Sequence, residues 1–157
     1  MKTCARVVAA ALWIGLAALS AQAQTVTATA NPAASSSELY IAFGERPGIA
    51  ALMDDFVVRL KADQRTAPFF EKTNLPELAK HLTDQICALS GGPCVYRGAP
   101  MKIVHVDIEI RRADFNALVE VLQDSMDARG IAFRTQNRLL ARLAWMHRAI
   151  VNMPDPR

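Results

Sequence analysis

Across most of this chain the apolar residues recur at intervals of three and four, and the pattern is broken mainly at glycines and prolines. That spacing lays a stripe along one face of an α-helix; in a half-buried strand the apolar positions would alternate. Ile49, Leu52, Met53, Phe56, Val57 and Leu60 form the clearest stripe, in a segment opened by Pro47, which suits the first helical turn because its missing N–H is not needed there. Ser37 predicts the cap of a short preceding helix that runs to Phe43 and ends at Gly44. A third helix is expected from Asn74 or Pro76, with Leu78, Leu82, Ile86 and Leu89 on one face and Gly91-Gly92-Pro93 stopping it. Phe115, Leu118, Val119, Leu122 and Met126 mark a fourth that ends at Gly130. The last runs from Phe133 to Val151, with Leu139, Leu140, Leu143, Met146 and Ile150 facing inward. Between Gly92 and Arg112, Ile103-Val104-His105-Val106 and Ile108-Glu109-Ile110 carry β-branched residues, but two such pieces make no independent sheet. Loop with a short helical turn is expected there, and the fold class is all-α.

The N-terminus is of a different character. Lys2 and Arg6 precede an apolar run of 14 residues from Val7 to Ser20, followed by Ala21-Gln22-Ala23, the small-x-small pattern of a signal peptidase site. As a helix this run spans about 21 Å, short of the ~30 Å hydrocarbon core of a bilayer, so a cleaved signal peptide over 1–23 is expected rather than a membrane anchor. Periplasmic or secreted localisation follows. Cys4 precedes the apolar run and would leave with it. Apart from Gln24 and Val26, residues 24–37 are Thr, Ala, Asn, Pro and Ser without charge, a composition expected to stay a flexible leader. One domain over 38–153 and a tail over 154–157 complete the organisation. The +3 net charge comes from 18 basic and 15 acidic residues that are interspersed, so nothing here calls for nucleic acid.

Little in the helical part declares a reaction. His81, His105 and His147 include no pair at the i, i+4 spacing of a zinc helix, and no glycine-rich phosphate loop or Gly-x-Ser-x-Gly elbow is present. Asp54-Asp55 and Asp107/Glu109 read as carboxylates at helix ends, and His147, within Met146-His147-Arg148, as a solvent-facing residue. His105 stands out because its neighbours are apolar. An imidazole buried there needs a hydrogen-bond partner or a metal, and spacing leaves both open.

Asp54-Asp55-Phe56, Ala62-Asp63, Pro68-Phe69-Phe70, Leu89-Ser90-Gly91-Gly92-Pro93, then Tyr96-x-Gly98-x-x-Met101-Lys102-x-x-His105, Ile110 and Asp114-Phe115 occur in an order that resembles a group I truncated haemoglobin. The likeness runs from Leu39 to Val151, and its most specific part is the Met-Lys-x-x-His block after Gly-Gly-Pro. It implies a two-over-two helical sandwich around one haem b, held noncovalently, with His105 as proximal iron ligand. It also implies a porphyrin-packing role for Phe70, and cofactor contacts for Phe56, Val57, Leu78, Leu82, Ile86, Tyr96, Met101 and Phe115. Lys102 and Arg97 would be nearest the propionates, or exposed.

The chain departs from the resemblance on the distal side, with Val57 where truncated haemoglobins often have tyrosine and Leu82 where they often have glutamine. Neither donates a hydrogen bond. Losing one to a bound, partly charged oxygen, at about 1.5–3 kcal/mol, would speed release about 10- to 100-fold. His81 occupies the position that supplies a sixth ligand in some family members, or else is an exposed histidine beside Lys80. The functional readings are therefore a haem protein that binds oxygen, nitric oxide or carbon monoxide, or that acts, with an unknown reductant, as a nitric oxide dioxygenase or as a weak peroxidase on peroxide. Alternatives are a bis-histidyl electron-transfer protein using His105 and His81, a haem-free helical interaction or sensor module, and a small metalloenzyme, which the ligand spacing does not support. Cys87 and Cys94 remain as a pair after signal removal. The Gly91-Gly92-Pro93 reversal would let them approach the ~4.4–6.8 Å Cα separation of a disulfide, against two separately buried thiols.

Overall fold

A computed structural model describes residues 32–154, all of whose regular structure is helical: α1 (Pro32–Ala42), α2 (Glu45–Ala62), α3 (Ala67–Phe70), α4 (Leu75–Leu89), α5 (Met101–Val104), α6 (Arg112–Ala128), α7 (Phe133–Leu143), a 3-10 turn (Ala144–Met146) and α8 (His147–Ile150). The expected signal peptide, the leader as far as residue 31 and the tail beyond Pro154 lie outside the described residues. Among those described, no helix is long and apolar enough to cross a membrane.

The expected stripe of α2 is the spine of the core. Ile49, Leu52, Met53, Phe56, Val57 and Leu60 are all buried, and α2 packs against both α4 and α6. Helix α4 begins where the sequence placed it. The Asn74 side chain accepts a hydrogen bond from the Glu77 N–H at 3.3 Å, satisfying one of the donors that the first turn leaves open. Helix α6 is opened the other way round, with the Asp114 carboxylate accepting from the Arg111 N–H at 2.9 Å. Buried hydroxyls are returned to their own helices: Thr83 donates to Ala79 O, Ser90 to Ile86 O and Ser125 to Val121 O. Gln136, 1% exposed, donates to Asp127 Oδ1 and Ile131 O and so ties α7 to the α6–α7 turn.

Three expectations are corrected. Helix α1 starts at Pro32, inside the segment assigned to the leader, because proline preorganises a first turn and alanines follow it. The single terminal helix expected over Phe133–Val151 is three pieces, since the 3-10 turn tightens the chain at Ala144–Met146; Met146 is buried while Trp145 stays 66% exposed. His147 is half-buried rather than solvent-facing, its ring 4.9 Å from that of Phe115 in an edge-on arrangement. The Gly92–Arg112 stretch is loop and one short helical turn, α5, without strand.

Leu52 is fully buried on α2 whereas Ile41 is 62% exposed on α1. Leu52→Ala is expected to lower the unfolding free energy by about 2–5 kcal/mol and Ile41→Ala to change it by less than about 0.5 kcal/mol, as read from urea midpoints.

Candidate functional site

The helices enclose an apolar cavity of about 420 Å³, inside the range of roughly 300–1,000 Å³ typical of cofactor and small-molecule sites. Its walls come from elements far apart in sequence. Phe56 lines it from α2, Phe70 from α3, and Leu78, His81, Leu82 and Ile86 from successive turns of α4. Met101 and His105 line it from the two ends of α5, and Phe115 from the first turn of α6. Tyr96 enters from the loop between α4 and α5, where partial burial pushes its phenol upward in pKa. A Cβ at Gly98 would fall 2.1 Å from the Tyr96 hydroxyl, so the Tyr-x-Gly spacing lets the loop close on that ring.

His105 is the residue for which this geometry is most specific. Its Nδ1 lies 2.7 Å from the carbonyl oxygen of Met101. A carbonyl only accepts, so Nδ1 carries the proton, and the lone pair of the neutral ring resides on Nε2. The half-buried imidazole is thereby fixed in the tautomer suited to ligating a metal. The short α5 does not hold this segment alone. Asn152, beyond α8, donates to His105 O at 3.0 Å and Ile108 O at 2.7 Å, and accepts from the Ile110 N–H at 2.9 Å. The backbone N–H groups of Asn152 and Met153 both donate to Ile110 O at 3.1 Å. No periodicity pointed to Asn152, because its role is to bind a backbone 47 residues away.

His81 is on the cavity wall but its side chain is 55% exposed, with Nε2 3.8 Å from Glu77 Oε1 one turn back on α4. One residue expected at the site stands elsewhere: Val57 is buried in the core and does not line the cavity, since it lies one position round the helix from Phe56. Lys102, on α5, is exposed, one of the two placements expected for it. Arg97 is likewise exposed. The residue that pattern reading passed over is Gln85, 7% exposed on α4, one turn after His81. Its amide nitrogen meets two thioethers, Met101 Sδ at 3.7 Å and Met146 Sδ at 3.6 Å. Sulfur is a weak acceptor, so Gln85 brings a poorly satisfied donor to the cavity edge. Cys87 and Cys94 form a disulfide with Cα atoms 5.7 Å apart. Among the described residues, no group of three or more His, Cys, Asp or Glu side chains is arranged to hold a metal ion.

Residues 38–152 match the family profile of bacterial-like globins. The chain is 29% identical over 116 residues to a group 1 truncated hemoglobin from Nostoc commune, covering 74% of this chain and 98% of that protein. It is 31% identical over 106 residues to a group 1 truncated hemoglobin from Mycolicibacterium paratuberculosis, covering 68% and 78%. Among solved structures it is similar to the truncated hemoglobin from Tetrahymena pyriformis in its Fe(III) form, with TM-score 0.70 at 23% identity, covering 73% of this chain and 98% of the other. It is also similar to the group II truncated hemoglobin from Bacillus anthracis, with TM-score 0.67 at 25% identity, covering 75% and 93%.

Removing the exposed Asn152 clamp is expected to loosen the His105 segment without unfolding the core. Asn152→Ala should cost about 1–2 kcal/mol in denaturant unfolding and speed hydrogen exchange at the Ile110 amide, while amides of α2 keep their protection.

Proposed function

The chain belongs to the bacterial-like globin family, as a group 1 truncated haemoglobin, and on that premise we propose that it is an exported protein that holds one haem b through His105 and binds a diatomic ligand: oxygen, nitric oxide or carbon monoxide. The observation that carries this reading is the His105 imidazole on the wall of an apolar cavity, with Nδ1–H engaged by the Met101 carbonyl and the Nε2 lone pair left to donate. The donor set fits the group: one neutral imidazole, and a cavity lined by Phe56, Phe70, Leu82, Ile86, Met101 and Phe115 that would cover a porphyrin's apolar faces. No Cys-x-x-Cys-His is present, so attachment is noncovalent. Haem supplies an iron centre with an open coordination position. The chain's own residues orient the proximal imidazole, exclude water from the apolar walls and set which polar groups approach from α4.

Those polar groups are few. Leu78 and Leu82 of α4 offer no donor, which leaves His81 and Gln85 as the α4 side chains able to hydrogen-bond in the cavity. A second reading, bis-histidyl ligation by His81 and His105, is favoured by His81 lining the same cavity. In that form the protein would carry electrons, or admit ligand only when His81 swings away toward Glu77. The reductant in either case is a separate partner, and the proposal of export is supported by the signal-like segment at 1–23 together with a disulfide of the kind an oxidising compartment preserves.

His105→Ala is expected to abolish stoichiometric haem uptake by the purified protein; a full and unshifted Soret band in that variant would refute the assignment. Carbon monoxide rebinding distinguishes the two forms. If His81 ligates, ferric wild type is low-spin and His81→Leu is high-spin with faster rebinding, whereas identical spectra and rates leave the five-coordinate form.

A further inference from the structure

The Cys87–Cys94 bridge joins the α4 wall of the cavity to the loop that leads to His105. Cys87 is fully buried, one residue after cavity-lining Ile86 and two after Gln85. Cys94 is half-buried, and Tyr96, Gly98, Ala99 and Met101 follow it along the cavity wall. Among the described residues, no hydrogen bond between backbone groups involves residues 93–99. The bridge is therefore the covalent tie that keeps this stretch against α4. Its two sulfurs have unequal surroundings. Around Cys87 the packing is tight: a Cβ at Gly92 would lie 2.7 Å from Cys87 Sγ and 2.5 Å from the Tyr40 ring. Beside Cys94 stands a cation, with Arg46 Nη1 at 3.3 Å from its Sγ and 2.6 Å from Asp84 Oδ1. The Arg46 backbone N–H donates to the Tyr40 hydroxyl at 3.1 Å, and its side chain is 49% exposed, so solvent reaches that side of the bridge.

We propose that the bridge is a redox-active site, opened by thiol–disulfide exchange with an external dithiol that enters at Cys94, and that opening it loosens the loop wall of the haem site; the second half rests on the haem reading above. In the first step the external thiolate attacks Cys94 Sγ. A bond forms between those two sulfurs, the Cys87–Cys94 bond breaks, and its electron pair departs on Cys87, which takes a proton from solvent. In the second step the other thiolate of the dithiol attacks its own partner sulfur in the mixed disulfide and releases Cys94 as a thiolate beside Arg46. Two electrons pass to the protein and the dithiol leaves as a disulfide. Arg46 favours both steps, because a guanidinium attracts the incoming anion and stabilises the departing one. Asp84, on α4, holds that guanidinium in place.

Folded protein treated with dithiothreitol without denaturant, then alkylated with a maleimide and weighed intact, is expected to gain two adducts. Glutathione as a one-thiol probe should give a mixed disulfide that maps to Cys94. Arg46→Gln should slow opening several-fold, because the incoming thiolate loses the cation that attracts it to Cys94, and Arg46→Lys should restore it. In haem-loaded protein, reduction should speed haem transfer to an apoglobin acceptor several-fold. Cys87→Ala/Cys94→Ala should show the faster rate and no response to dithiothreitol. A bridge that opens only in denaturant, or glutathione found on Cys87, would overturn the redox site. Equal haem-transfer rates before and after reduction, or a protein that never takes up haem, would overturn the coupling while the mapping result still decides the redox site.

Discussion

The structure depends on the contact between α2 and α4. The apolar stripe of α2 is buried along its whole length, and α4 lies across it with Ala79 and Ile86 in the same core. Hydrophobic burial of this kind is roughly proportional to area and has no direction, so by itself it would hold the helices together without specifying a cavity. What leaves space is a shortage of helix on the other side. The chain between Leu89 and Arg112 has one four-residue turn, α5, where a longer helix would fill the gap. Phe56, Leu82 and Ile86 thus belong to the core on one side and line the cavity on the other.

A segment with so little regular structure has to be held by specific bonds. His105 is oriented by the Met101 carbonyl within its own turn, Asn152 clamps the backbone from 105 to 110, and the Cys87–Cys94 bridge ties the preceding loop to α4. In the chain-entropy picture so short a loop closure contributes roughly 2–3 kcal/mol. These three restraints act on one stretch of about twenty residues, and they are local, polar or covalent where the rest of the fold relies on packing. The division suits a site that must be preorganised for a ligand yet cannot be filled by its own side chains.

Charge plays a smaller part and stays outside. Arg59 with Asp55, and Arg65 with Asp63 and Glu120, form pairs on the surface. The Arg65 guanidinium and backbone N–H hold the Asp63 carboxyl down to about 2. Exposed pairs of this type are screened by solvent and salt and add little to stability. Arg46 differs in what it touches, since its guanidinium reaches a disulfide sulfur.

The sequence alone determined the helical class, the buried stripe of α2 and the Asn74 start of α4. Each of these is set by residues within a turn or two of one another, where period and capping chemistry act directly. It also singled out His105, through the ordered Tyr-x-Gly-x-x-Met-Lys-x-x-His block, and the Cys87/Cys94 pair, whose seven-residue separation is bridged because Gly91-Gly92-Pro93 reverses the chain. Only the tertiary structure decided that Val57 turns into the core while Phe56 reaches the cavity, because one step along a helix is a rotation of about 100° and its reference direction is set by α4 and α6. It decided as well that the last helix breaks at Ala144–Met146, that Gln85 meets two methionine sulfurs, and that Asn152 holds the carbonyl of His105. Those bonds join positions 16 to 61 residues apart, and no local pattern of residues encodes a partner that distant.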